Sequence, residues 1–205
     1  MPTFRGRILL FLLFAALLMG LGAGVYPFLA QNRPLPDVEV AIIEGWMSDT
    51  ELVTVLSRFP EKTICVATGG PIHFGADLFK ERTYAEITAA RLKKFGVDPE
   101  YILDASAPDT STDRTYVSAL AVRRVLEAKG LFGRPANIYT VGTHSRRTFL
   151  LYRCAFGIDV PLGVISLECS ETDLRHWWSS SQAFKNVCTE FLSLIYTHCT
   201  RWKYD

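Results

Sequence analysis

Five short β-branched, apolar runs constrain this chain more than any other feature, because a helical pattern follows each of them. The runs are Val38–Ile43, Thr63–Thr68, Tyr101–Asp104, Asn137–Val141 and Val160–Leu167. Between them Ser48-Asp-Thr-Glu51 matches a capping box that opens a helix toward Arg58, and further helices are expected near Thr83–Phe95, Asp113–Lys129, Ser145–Phe156 and Gln182–Thr200. Gly96, Gly130 and Gly157 each stand where a helix must stop. A strand that returns to a parallel neighbour needs a crossover helix. The alternation therefore predicts a Rossmann-like, doubly wound α/β domain with a mostly parallel sheet of about five strands.

The N-terminus is of another kind. From Ile8 to Ala30 no side chain is charged or an amide, a run of 23 residues. As a helix it would be roughly 34 Å long, enough to cross a hydrocarbon core of about 30 Å. A cleaved signal peptide has a shorter apolar region of about 7–15 residues and a small-x-small site, whereas Phe28-Leu29-Ala30 puts a bulky residue first. The expected organisation is a cytoplasmic N-terminus at residues 1–7, a signal-anchor helix at 8–30 in a phospholipid membrane, a stiff QNRPLP linker within 31–37, and one domain at 38–205. Arg5 and Arg7 precede the span and Arg33 alone follows closely, so the positive-inside rule puts the domain outside the plasma membrane.

The formal charge is +1, from 22 Lys+Arg against 21 Asp+Glu. That balance argues against nucleic acid as a general partner. Five cysteines show no C-x-x-C, and with four histidines and no acidic cluster there is little to hold a metal. G-x-G-x-x-G, Walker A and G-x-S-x-G are all absent from the sequence, so no nucleotide cofactor and no nucleophile elbow is expected.

In an open parallel sheet, ligands bind outside the carboxyl ends of the strands. The segments expected there are Glu44-Gly45-Trp46, Gly69-Gly70, Asp113-Arg114-Thr115 and Thr143-His144-Ser145-Arg146-Arg147. Glycines let backbone N–H groups approach an anion, helix N-termini add a favourable dipole, and guanidinium forks suit phosphate or carboxylate. The expected ligand-binding set is Gly45, Gly69, Gly70, Asp113, Arg114, Thr115, Thr143, Arg146 and Arg147. Neighbours on a helix point about 100° apart, so one of the two arginines faces solvent. His144 and Glu86 are the candidate acid–base residues. Each has an ordinary alternative: Gly69-Gly70 as a plain turn, Asp113 as an N-cap, and the cations closed into a salt-bridge network by Asp113, Glu44 and Glu86.

In order and spacing, Ile42-Ile43-Glu44-Gly45-Trp46, Thr68-Gly69-Gly70-Pro71, Thr83-Tyr84-Ala85-Glu86, Asp113-Arg114-Thr115-Tyr116, Thr143 through Arg147, and Trp177-Trp178-Ser179-Ser180 through Glu190 resemble the YdcF/SanA/ElyC-like family. The resemblance runs from about Val38 to Tyr196. It implies a Rossmann-like domain. For membrane-anchored members it further implies a role in cell-envelope biogenesis, in peptidoglycan or polyprenyl-phosphate carrier metabolism, with a phosphorylated ligand or, alternatively, a protein partner at the same surface. Glu44-Gly45-Trp46 and Asp113-Arg114-Thr115 depart from the Gly-rich turn and Asn-Thr pair of many members.

Overall fold

A computed structural model describes residues 4–58, 60, 62–73 and 80–200. The sheet has five strands, β1 (Val40–Glu44), β2 (Ile64–Gly69), β3 (Ile102–Ser106), β4 (Ala136–Val141) and β5 (Leu162–Leu167). All pair in parallel in the order β3-β2-β1-β4-β5. The helices are α1 (Phe4–Leu29), α2 (Asp49–Leu56), α3 (Tyr84–Lys94), α4 (Arg114–Ala128), α5 (Ser145–Phe156) and α6 (Ser181–Cys199). The expected doubly wound α/β architecture is thus present, and the sheet is parallel throughout.

Successive strand residues point to opposite faces. Val40 and Ile42 join Val66, Ile138 and Val164 in a core shared with α4 and α5. Ala41 and Ile43 join Cys65, Ala67, Tyr139 and Ile165 in a second core with α2 and α3. The chain therefore winds outward through β2 and β3 on one face, returns beside β1 at β4, and winds on to β5 on the other. The switch of direction lies between β1 and β4. Both sides of the sheet are covered, which is why the strands read as near-continuous apolar runs.

Capping fixes where the helices begin. Ser48 and Glu51 form the expected capping box at α2, and Thr83 and Glu86 form another at α3. Strand limits shift slightly from expectation. β1 starts at Val40, after Asp37 takes a left-handed φ of 49°. β5 starts at Leu162, since Pro161 has no N–H to give the ladder. The five cysteines form no disulfide among the described residues, and the loop expected to run to Glu81 falls partly on residues 74–79, outside the described residues.

The expected linker is fastened down. Arg33 bridges Val164 through N–H···O bonds of 2.8 and 3.0 Å, and the buried Asn137 amide both donates to Leu35 O and accepts from Leu35 N–H, each at 2.9 Å. The end of α1 is docked as well: Leu29 is buried in a third core with Leu174, Ala183, Val187 and Leu194, and Val25, Tyr26 and Trp177 pack against it. Within the expected 8–30 span, the side chains at 9, 10, 14–19 and 21 lie outside the described residues. Counting described residues alone, no helix is long and apolar enough to cross a membrane.

Candidate functional site

Five parallel strands end along one edge of the sheet, and a cleft of about 560 Å³ opens there. The last residue of β1, Glu44, and the first turn after β4, Gly142–His144, meet at the switch between β1 and β4. Both Glu44 and His144 line the cleft, with Gly69 and Gly70 after β2, Asp113, Arg114 and Thr115 at the start of α4, and Arg147 on α5. This is the crevice that the winding of the sheet leaves open.

Its inner end is a closed polar network. Glu44 is 6% exposed, and its carboxylate accepts hydrogen bonds from the hydroxyls of Thr140 and Thr148. His144 Nε2 lies 3.6 Å from Glu44 Oε1. The other ring nitrogen, Nδ1, donates to Glu190 Oε1 at 3.0 Å. Arg147 grips the same carboxylate with Nε at 2.9 Å and Nη2 at 3.1 Å. The Trp46 ring covers His144 edge-on, with centroids 5.6 Å apart.

Electrostatics follow from this geometry. Burial disfavours the charged imidazole of His144, but the Glu44 and Glu190 carboxylates outweigh it and raise its pKa above the usual 6.5. Burial likewise opposes the Glu190 carboxylate, and His144 and Arg147 overcome that opposition, drawing its pKa down to about 2. Arg147 Nη2 also lies 3.0 Å from His144 Nδ1, so Glu190 gathers both cations on one carboxylate, and Nε2 is left toward the cleft and Glu44.

The outer end differs. Arg114 opens α4, is exposed, and makes no hydrogen bond or ion pair among the described residues. Asp113 is held at φ 53°, ψ 34°, a left-handed backbone that Asp tolerates better than most residues, and its side chain does not cap the helix. Thr110 and Ser118 add hydroxyls to the same wall.

Four expected site residues lie elsewhere. Arg146 turns to the far side of α5, where it donates to Phe28 O and stands 4.0 Å over the Phe28 ring. Thr143 is buried in the turn. Gly45 is packed beneath the cleft, against the start of α3. Glu86 does not line the cleft, because its carboxylate accepts from the backbone N–H groups of Arg82, at 2.5 Å, and Thr83, at 3.2 Å. Conversely, Glu190 carries the network and is not in the expected site set; the sequence marks it only as the end of the Trp177–Glu190 segment of the resemblance, 46 residues from His144. A further signal is helical spacing: Glu190 shares a face with Ser193 and Thr197, which also line the cleft.

No metal-holding group of three or more His, Cys, Asp or Glu occurs among the described residues. Compared with protein-family models, curated proteins and solved structures, the chain matches none.

Proposed function

We propose that this chain is a membrane-held domain that binds a small phosphorylated ligand in the cleft at the β1/β4 switch. Its setting, in this reading, is cell-envelope biogenesis at the outer face of the plasma membrane, as the resemblance to the YdcF/SanA/ElyC-like family implies. The observation that carries the reading is Arg114. It is a guanidinium on the wall of a cleft that Gly70 also lines, at a helix N-terminus, with no hydrogen bond or ion pair among the described residues.

Charge balance narrows the ligand. Arg147 and His144 are already offset by Glu190 and Glu44. A second phosphate placed at the inner end would meet those two carboxylates. Asp109, 3.4 Å from His73, and Asp113 share the outer wall with Arg114, so the cleft has room for one anionic group at most, at Arg114, and suits a neutral hydroxyl-bearing part, such as a sugar, at the inner end. There His144 Nε2 is placed to donate to a bridging oxygen of the ligand, as a general acid would. The closed inner network also favours a second reading, in which the cleft holds an acidic group of a protein partner without turnover.

Thermal unfolding of the full chain in detergent tests the first reading. Millimolar inorganic phosphate or pyrophosphate should raise its Tm, because a ligand that binds only the folded state stabilises it. Arg114→Ala should keep the basal Tm and lose the response, with affinity roughly 10- to 150-fold weaker for a charged hydrogen bond of about 1.5–3 kcal/mol. No shift with either anion overturns the proposal.

A further inference from the structure

The outward face of α6 is apolar and uncovered. Phe184 and Leu192 are 52% and 65% exposed, and Trp178, just before the helix, is 56% exposed. The charged side chains of α6 are Lys185, Glu190 and His198, and Glu190 is turned inward to Arg147 and His144. The outward face thus carries no carboxylate. A contiguous apolar stripe of this kind on a helix marks a contact surface.

Two contacts set α6 beside α1, one from the turn just before α6 and one relayed through His144 and Ser145. Trp177 Nε1 donates to Gly22 O at 3.0 Å. Further along, Glu190 holds His144, and the adjoining Ser145 hydroxyl donates to Leu29 O at 3.2 Å and to Gln31 O at 2.8 Å. Positions 177–190 therefore accompany positions 22–31 in the same direction. A hydrocarbon core of about 30 Å takes roughly 20 helical residues. Counted from Ile8, that length ends near Pro27. Trp177, Trp178 and Phe184 then stand level with the outer end of the span, the depth at which aromatic rings are favoured.

We propose that the outward face of α6 beds into the lipid headgroup boundary on the domain's side of the bilayer, with Phe184 deeper than Leu192. The occupant is phospholipid, and Lys185 with no opposing carboxylate on that face suits anionic headgroups. The inference rests on the membrane reading of α1 and deepens the functional one. The inner side of α6 gives Ser193 and Thr197 to the cleft, so the face proposed for lipid and one wall of the cleft belong to a single helix.

The test uses the full chain in phosphatidylcholine–phosphatidylglycerol vesicles. The four cysteines other than buried Cys65 are replaced by serine or alanine, and a nitroxide is attached through Phe184→Cys, Leu192→Cys or, as a water-facing control, Lys94→Cys. Collision with oxygen, which partitions into lipid, should exceed collision with a nickel chelate several-fold at 184 and less at 192, and the ratio should reverse at 94. A chain that fails to float with the vesicles removes the membrane reading of α1 and this inference with it. A chain that floats while position 184 matches the control in nickel accessibility overturns the α6 contact alone. Shielding of 184 from both reagents, with spin broadening that disappears on dilution with unlabelled chain, identifies a second copy as the occupant and overturns it too.

Discussion

A β-carbon at position 45 would lie 2.5 Å from the Tyr84 carbonyl oxygen and 2.7 Å from that of Thr68. Both neighbours are backbone, one at the start of α3 and one in β2, so neither can swing aside. Gly45 is required by the close approach of β1 to α3, and the Thr88 hydroxyl, donating to Gly45 O at 3.0 Å, ties the same two elements. Gly45→Ala should therefore destabilise by about 1–3 kcal/mol, as overpacking does. Urea midpoints of the variant and the parent would show it, and an unchanged midpoint would refute the packing account. Phosphate binding in the surviving folded fraction should be near that of the parent, since Gly45 does not line the cleft. At the neighbouring pair Arg146-Arg147, the sequence required only that the two diverge. Which one enters the cleft depends on what lies across α5, Phe28 on one side and Glu190 on the other.

At the scale of elements, the segment between α1 and β1 is held at Leu35 by one side chain. Asn137 is 3% exposed and satisfies both backbone groups of Leu35. An amide can donate and accept at once and so imitates a neighbouring strand; an aspartate or leucine cannot. Asn137→Ala removes two hydrogen bonds and leaves the Leu35 groups unpaired, at a cost of about 1–3 kcal/mol. The expected signs are a lower denaturation midpoint and new proteolytic cleavage within residues 31–37. Cleavage no faster than in the parent would mean that the Arg33–Val164 bridge is sufficient by itself. Composition alone made QNRPLP look like a spacer, because proline-rich runs make few local hydrogen bonds. Its partners lie far along the chain, Asn137 102 residues from Leu35 and Ser145 114 from Gln31.

For the molecule as a whole, the buried network sets a pH window of stability. Glu190 ionises at about 2 in the folded chain against 4.5 ordinarily. A depressed carboxyl contributes stability that is full above pH 4.5 and is lost as pH falls toward 2. His144 is raised above 6.5, so its contribution is full below 6.5 and is lost as pH climbs through its folded-state value. The pair should therefore give greatest stability between about 4.5 and 6.5. Glu190→Gln should cost on the order of 3 kcal/mol in that window, since Arg147 and His144 lose a part-buried counter-charge. It should also flatten the acid limb. Urea midpoints across pH 2–9 would measure both, and parallel pH curves for parent and variant would contradict the assignment.

Local rules settled part of this protein before any tertiary contact. Strand and helix alternation is a matter of period and handedness, so the run of VEVAII, TICVAT, NIYTV and their helices implied a parallel wound sheet and placed Gly69, Gly70, Arg114, His144 and Arg147 at its carboxyl edge. Capping boxes are likewise local, and the one expected at Ser48 opens α2. What a side chain does with a charge is not local. Glu86 was near enough to be a base, yet the N–H groups of its own helix turn claimed it. His144 acquired its orientation from Glu190 on the last helix, and Glu44 its shielding from Thr140 and Thr148 on β4 and α5. Hydrogen bonds between residues 46 to 104 positions apart depend on how layers pack, and only the folded chain decides them.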